Sequence, residues 1–148
     1  MLEEHKDIKW YIAGDGPERS TIKSTIESYG LKDRIILLGN QSNPYPYIKK
    51  SDLFMLLSFH EAAPVVYNEA HALGIPVFST RTISSDEMLD DGVNAFICEN
   101  SEKGIREAFA DLMTNREKIA RAKENLKNYK MSNVSSIEKI REFIEKGI

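Results

Sequence analysis

The chain has 148 residues, of which 20 are Lys or Arg and 23 are Asp or Glu, so its formal net charge at pH 7 is −3. This length suits one domain with a proper core, and the charge balance disfavours a general nucleic-acid binder, which needs a strongly basic face. The single cysteine, Cys98, excludes an internal disulfide framework and a cysteine-based metal site within one chain. The start is polar and no apolar run reaches the ~20 residues of a membrane span, which predicts a cytoplasmic protein.

Strand and helix patterns alternate along the whole chain, with glycines and prolines at the boundaries. The predicted strands are 8–13, 34–38, 53–57, 77–79 and 95–98. The first predicted helix starts after Gly16 and ends at Gly30, the second covers 45–50, and the third starts near Pro64 and ends at Gly74. A short fourth helix has Ser84 as its N-cap, and the helical pattern resumes at Ser101 and continues to the end of the chain. This order predicts a single α/β domain over residues 1–148: a Rossmann-like, doubly wound parallel sheet of five to six strands flanked by helices, with a helical C-terminal tail.

The chemistry is concentrated between the third and fourth strands. Leu53 to Leu57 is an apolar run that suits a strand buried on both faces, and a polar loop leads from it to the helix that begins near Pro64. Glu61 lies on this loop and Glu69 lies about a turn and a half into the helix, so we expect both carboxylates to face one crevice beyond the strand ends.

The ligand expected in this crevice carries negative charge. Helix N-termini offer free backbone N–H groups and the positive end of a dipole, which together favour an anion. Two carboxylates beside such an anion site suit a diphosphate with a hydroxyl-rich ring on either side. A nucleotide sugar fits that description.

The motif Glu61-x7-Glu69, preceded by Ser58 and followed by Gly74-x-Pro-Val, resembles the signature of retaining glycosyltransferases of family four, which have the GT-B fold. The resemblance covers most of the chain. Its other members are Ile12 to Glu18 as the first glycine loop, Ile36 to Asn40 as the nucleotide-side strand, Ser51-Asp52-Leu53 before the signature, and Glu87 with Asp91 to Phe96 as the closing element.

The resemblance implies a donor-binding domain that takes a nucleotide diphosphate sugar as substrate, with no metal and no separate cofactor. Glu61 is then the catalytic residue beside the transferred sugar, and Glu69 hydrogen-bonds the nucleotide ribose. The remaining donor-binding positions meet the sugar hydroxyls and diphosphate (Ala63, Pro64, Val65, Val66), allow close backbone approach (Gly14, Gly16), or flank the base (Asn40, Gln41). The family usually has Gly at position 62 and an aromatic residue at position 63. If that Gly supplies a positive φ, Ala62 implies a modified loop.

The resemblance also implies what a complete enzyme needs. The family places an acceptor-binding domain, a linker and a strand with an Arg and a Lys before the first strand, so this sequence resembles the C-terminal half of a GT-B hexosyltransferase. The expected activity is transfer to a glycan or lipid-linked acceptor in surface polysaccharide biosynthesis. Residues 1–148 alone are expected to be inactive.

Several alternatives remain open on the residues themselves. The chain is alternatively a non-catalytic nucleotide-binding or regulatory module, although no phosphoacceptor Asp follows the third strand. Gly14-x-Gly16 alone is typical of a turn, and His60 and His71 lack a third ligand at metal spacing. The basic tail after Arg116 suits a solvated helical face, with peripheral contact at the inner face of a membrane as the alternative.

Overall fold

The computed structural model describes residues 7–127, where strands and helices alternate as predicted. The strands are Trp10–Ala13 (β1), Ile35–Gly39 (β2), Phe54–Leu56 (β3), Val77–Thr80 (β4) and Ala95–Cys98 (β5). The helices are Arg19–Ser28 (α1), Tyr45–Lys49 (α2), Val65–Ala72 (α3), Ile83–Met88 (α4), Glu102–Thr114 (α5) and Glu117–Leu126 (α6). The predicted α/β class is confirmed.

All strand pairs within residues 7–127 are parallel, but these strands form two sheets. β1 pairs with β2, and the second sheet has the order β3-β4-β5. The prediction of one sheet with five to six strands is therefore corrected to sheets of two and three strands. Strand–helix alternation determines that neighbouring strands run parallel. It does not determine which strands share hydrogen bonds, because pairing also depends on tertiary packing.

The chain divides into two compact units, with the boundary between Tyr47 and Ile48. The N-terminal unit contains β1, α1 and β2. The C-terminal unit contains β3 to β5 and α3 to α6. The single domain over residues 1–148 stays a prediction.

The core of the C-terminal unit is built around β4. Val77 and Phe78 have no exposed surface, and Ser79 and Thr80 are each 1% exposed. β4 has a paired strand on each edge, and the near-zero exposure of all four residues shows that both of its faces are covered as well. The buried apolar cluster around it consists of Ile48, Tyr67, Ala70, Ile75, Val77, Leu89 and Ala95.

β3 departs from the prediction that it is buried on both faces. Its three residues are only half-buried. It lies at one edge of its sheet and pairs only with β4 there. The apolar run at 53–57 identified the strand correctly, but apolar character alone does not place a strand at the centre of a sheet.

The predicted stop of α3 is confirmed. Gly74 follows the C-cap Leu73 with a φ of +76°, a conformation that favours glycine at the end of a helix. At the other end, Pro64 has extended backbone and is the N-cap, so the helix itself begins one residue later, at Val65.

The predicted N-cap of α4 is wrong. Thr82, rather than Ser84, precedes the helix and accepts a hydrogen bond from the backbone N–H of Ser85. The Ser85 hydroxyl lies 2.8 Å from the Thr82 backbone N–H and completes a reciprocal capping box. Ser84 is buried, and its hydroxyl donates to the backbone carbonyl of Glu61 instead.

The helical pattern after Ser101 produces α5 and α6. The ring of Phe109 on α5 lies 6.0 Å from that of Phe78 on β4, and α6 buries Ile119, Ala122 and Leu126. The part of the predicted helical pattern after residue 127 lies outside the described residues. Within residues 7–127, every helix is too short or too polar to cross a membrane.

Candidate functional site

Glu61 lies on the irregular segment that joins β3 to α3. Residues 57–64 have no helical or strand structure, and Glu61 is half-buried among more exposed neighbours. Its backbone carbonyl accepts a 2.7 Å hydrogen bond from the hydroxyl of Ser84 on α4. The carboxylate of the predicted catalytic residue is thus carried by a loop whose backbone is fixed from the neighbouring helix.

The beginning of the same loop is fixed to β4. The Thr80 hydroxyl donates to the Ser58 carbonyl at 2.6 Å and accepts from the Ser58 backbone N–H at 3.0 Å. Thr80 is almost fully buried. This paired contact continues the link between β3 and β4 beyond the last residue of β3, and it determines where the loop leaves the sheet.

The N-terminus of α3 follows directly and has no side-chain cap. Pro64 cannot supply a capping side-chain oxygen, and the first turn contains no acidic residue. α1 and α6 likewise have no side-chain cap, whereas α4 is capped by Thr82 and α5 by Ser101. The first backbone N–H groups of α3 are therefore not satisfied by a capping side chain, which is the arrangement that receives an anion at a helix N-terminus.

Tyr67, within α3, connects the helix to the sheet and is sensitive to the charge of Glu61. Its hydroxyl lies 2.6 Å from Ser79 Oγ on β4, and the residue has no exposed surface. The pKa of Tyr67 is raised above 10.0, mainly by burial and also by the charge of Glu61, while the bond to Ser79 lowers it. The Glu61 carboxylate therefore lies within electrostatic reach of the Tyr67 hydroxyl.

Glu69 is the fifth residue of α3 and is half-buried. It is flanked in the helix by buried Asn68 and Ala70, which hold this part of α3 against the core. Both carboxylates of the predicted signature thus belong to the C-terminal unit, one on the loop before α3 and one on α3 itself. Their opening on one shared crevice stays a prediction.

Four further predicted donor residues lie in the N-terminal unit, in the segments that follow the carboxyl ends of β1 and β2: Gly14, Gly16, Asn40 and Gln41. Gly14 has a φ of +118°, and its N–H donates to the Gly39 carbonyl at 2.8 Å. This bond brings the glycine loop next to the segment containing Asn40 and Gln41. Asn40 is exposed, and the Gln41 side-chain amide donates to a backbone carbonyl of β2. The nucleotide-side roles of these residues stay predictions.

The loop around Ala62 contains no strained residue. Every residue with positive φ in the described part of the chain is a glycine, so Ala62 has an ordinary conformation. Ala62 and Ala63 are both exposed. At this position the loop follows a path that alanine adopts without cost.

The two histidines of this region occupy different environments. His60 is exposed, whereas His71 is buried with Nε2 3.2 Å from the carbonyl oxygen of Asn94. No group of three or more His, Cys, Asp or Glu within residues 7–127 is arranged to hold a metal ion. Cys98 is buried, and this burial raises the pKa of its thiol.

Sequence reasoning missed the residues that hold the Glu61 loop: Thr80, Ser84 and Asn100. The Asn100 side chain donates to the carbonyls of Ser58 and Phe59. One signal was available, because Thr80 and Asn100 lie at or just after the carboxyl ends of β4 and β5, the edge where parallel sheets place their sites. Ser84 gave no such signal, since a serine at a helix start is normally interpreted as a cap.

The parallel strands with their flanking helices form a Rossmann-like domain of the GT-B type. The chain belongs to the glycosyl transferases group 1, a family that matches residues 1–129. It is 37% identical over 93 residues to the N-acetyl-alpha-D-glucosaminyl L-malate synthase of Bacillus anthracis, covering 63% of this chain and 24% of that protein. It is 31% identical over 101 residues to the Vi polysaccharide biosynthesis protein VipC/TviE of Salmonella typhi, covering 68% and 18%.

Among solved structures, the crystal structure of Anabaena Alr3699/HepE in complex with UDP aligns with a TM-score of 0.76 at 21% identity, over 95% of this chain and 41% of that one. This likeness supports the fold. The chain spans only 24% and 18% of the two curated relatives.

Proposed function

We propose that this chain is the donor-binding part of a glycosyltransferase that moves a hexosyl group, with retention, from a nucleotide diphosphate sugar to a glycan or lipid-linked acceptor. The observation that carries the proposal is the α3 N-terminus, which has no side-chain cap and lies between Glu61 and Glu69 in the sequence. Family membership supports the reaction class. The UDP in the Anabaena HepE complex supports a nucleotide ligand on this fold.

The diphosphate binds at the N-terminus of α3 in this proposal. Backbone N–H groups at Val65 and Val66 point out of the first turn, and the helix dipole favours negative charge there. Ala63 and Pro64 bring the chain to this point and meet the sugar hydroxyls through their backbone. Because the helix end and these N–H groups meet the charge of the diphosphate, the proposed reaction uses no metal ion.

The two carboxylates bind different parts of the donor on either side of the diphosphate. A carboxylate accepts hydrogen bonds from two neighbouring hydroxyls, which suits Glu69 for the ribose. Glu61 faces the transferred sugar from the loop, where its negative charge stabilises positive charge that develops at the reacting carbon. For the nucleotide, Gly14 and Gly16 keep the proposed role of allowing close backbone approach, and Asn40 and Gln41 keep that of flanking the base.

The biological setting follows from the relatives. The relationship to the Vi polysaccharide biosynthesis protein favours surface polysaccharide assembly. We place the reaction in the cytoplasm, with peripheral contact at the inner membrane face when the acceptor is lipid-linked. The acceptor-binding domain belongs to the same enzyme in this proposal, since the matched regions cover only 24% and 18% of these relatives.

The proposal is tested by comparing nucleotide affinity in three carboxylate variants. UDP and GDP are titrated by calorimetry into the wild-type chain, Glu69→Ala, Glu61→Ala and the control Glu107→Ala, an exposed residue of α5. Losing hydrogen bonds to a charged group costs ~1.5–3 kcal/mol, so Glu69→Ala should weaken the preferred diphosphate about tenfold or more. Glu61→Ala should change the affinity for the same diphosphate little, because the free diphosphate carries no sugar.

Two results would contradict this assignment. If Glu61→Ala lost affinity for the free diphosphate and Glu69→Ala did not, the roles of the two carboxylates would be reversed. If neither nucleotide bound the wild-type chain at millimolar concentration, this chain would not contain a competent donor site.

A further inference from the structure

The loop that carries Glu61 presents its backbone carbonyls to side chains from other elements. The Ser58 carbonyl accepts from the Thr80 hydroxyl, and the Glu61 carbonyl accepts from the Ser84 hydroxyl. These two contacts hold the beginning and the end of the segment. Between them lie Phe59, which is 79% exposed, and His60, which is also exposed, so the middle of the loop gains no packing from its own side chains.

Asn100 supplies the contact at this middle position. Its side-chain nitrogen lies 3.2 Å from the carbonyl oxygens of both Ser58 and Phe59. A third carbonyl, that of Arg81, lies 3.4 Å away. Three acceptors around one group identify it as the donor end of the amide. Asn100 therefore ties the Glu61 loop to the segments that follow β4 and β5.

The link from Asn100 to Glu61 is short and continuous. Phe59, whose carbonyl Asn100 holds, is two residues before Glu61, and no helix or strand intervenes to fix the backbone independently. Loss of the contact frees the peptide units at Phe59 and His60, because Thr80 still holds Ser58 on the N-terminal side. The Ser84 contact then remains as the fixed point at Glu61 itself.

We infer that Asn100 is a positioning residue for Glu61: it holds the loop in the conformation that presents this carboxylate to the transferred sugar. The inference rests on the proposed function of Glu61 and adds a residue that lies some forty positions away in the sequence. Asn100 contacts no part of the donor in this inference. It acts through the loop, so its loss should reduce recognition of the sugar while leaving recognition of the nucleotide intact.

The experiment measures what the sugar adds to binding. Dissociation constants are determined for UDP against UDP-glucose and for GDP against GDP-mannose, with the wild-type chain, Glu61→Ala, Asn100→Ala and the double variant. Within the preferred pair, the dissociation constant of the free diphosphate divided by that of the nucleotide sugar gives the sugar's contribution to binding. We expect Glu61→Ala to lower this ratio about tenfold and Asn100→Ala to lower it at least about threefold, with the free diphosphate bound as before.

The double variant separates positioning from general destabilisation. If Asn100 acts through Glu61, then Asn100→Ala has no further effect on the ratio once Glu61 is alanine. The matched control is Asn125→Ala, which also removes a side-chain amide that donates to a backbone carbonyl, that of Val93, at 2.8 Å. This control should leave the ratio at its wild-type value.

The outcomes distinguish the inference from the function on which it rests. If Glu61→Ala abolishes the sugar's contribution while Asn100→Ala keeps it, the inference is overturned and the proposed function stands. If Asn100→Ala lowers the ratio equally with and without Glu61, its effect is not exerted through Glu61 and the inference also fails. If the wild-type chain gains nothing from either sugar, or Glu61→Ala keeps the gain, the proposed role of Glu61 fails and the inference with it.

Discussion

The hydroxyl of Tyr67 on α3 lies 2.6 Å from the hydroxyl of Ser79 on β4, in the centre of the C-terminal unit. Ser79 Oγ also lies 3.1 Å from the carbonyl oxygen of Leu56 on β3. One buried pair of hydroxyls thus links the helix that carries Glu69 to two strands of the sheet. Buried polar groups are costly unless they are paired, so this contact favours one position of α3 on the sheet.

Tyr67→Phe should destabilise the chain modestly. The ring still fills its site, but one hydrogen bond is lost, so we expect the free energy of unfolding to fall by about 1 kcal/mol. Urea unfolding measures this as a lower midpoint at unchanged slope. Tyr29→Phe is the control, because Tyr29 is 70% exposed and should leave the midpoint unchanged. An equal effect of both substitutions would mean that the buried pair contributes nothing specific.

Local sequence signals predicted the order of elements and their ends well. Gly74 ends α3 because only glycine readily adopts its positive φ, and that preference can be recognised without the fold. Ser84 shows the limit. Its position before Glu87 fits a capping pattern, but Thr82 caps the helix and Ser84 bonds to the Glu61 carbonyl, 23 positions away. The division into two sheets, the Tyr67–Ser79 pair and the Asn100 contacts depend likewise on long-range packing, which local patterns do not encode.

Stability should fall at acidic pH because of His71. Burial lowers its pKa below 6.5, against the raising effects of its hydrogen bond to Asn94 and the charge of Asp90. The unfolded chain therefore binds a proton at a higher pH than the folded chain does. Well above pH 6.5 the protonation of this residue does not lower the free energy of unfolding. As the pH falls through 6.5 towards the pKa of His71 in the folded chain, protonation increasingly favours unfolding.

Urea midpoints of the wild-type chain and His71→Gln between pH 5 and pH 8 measure this contribution. The free energy of unfolding of the wild type minus that of the variant should decline as the pH decreases. His60→Gln, an exposed control, should keep the wild-type profile. A difference that stays constant over the whole range would exclude His71 as a source of acid sensitivity.

Gly104 should not tolerate alanine, although it lies in α5. A Cβ built there would lie 2.6 Å from Glu99 Cβ and 2.7 Å from the Glu99 carbonyl oxygen. The general preference of helices for Ala over Gly is about 1 kcal/mol. Overpacking costs of about 1–3 kcal/mol should exceed it, so we expect net destabilisation.

The matched substitution is Gly16→Ala, where the added Cβ has nothing within 4 Å and the φ is not positive. Thermal unfolding should show a lower midpoint for Gly104→Ala and an unchanged or slightly higher one for Gly16→Ala. A stabilised Gly104→Ala variant would show that the backbone at Glu99 moves away at little cost.

Residues 1–148 alone should transfer no sugar. Transfer requires donor and acceptor to be held together, and the proposed acceptor-binding domain is part of a longer enzyme. Incubation with UDP-glucose or GDP-mannose and glycan acceptors, followed by mass spectrometry, measures product directly. Sustained transfer to a defined acceptor by this chain would contradict the division of roles between the two halves.

The proposed function depends on the binding of a nucleoside diphosphate at the N-terminus of α3. The most direct measurement is an amide-shift titration of the ¹⁵N-labelled chain with UDP and GDP. We predict that the preferred nucleotide shifts the amides of Ala63, Val65 and Val66 most strongly within the C-terminal unit, while those of the capped first turns of α4 and α5 stay in place. Saturable shifts confined to other elements, with the α3 amides unchanged, would contradict the claim.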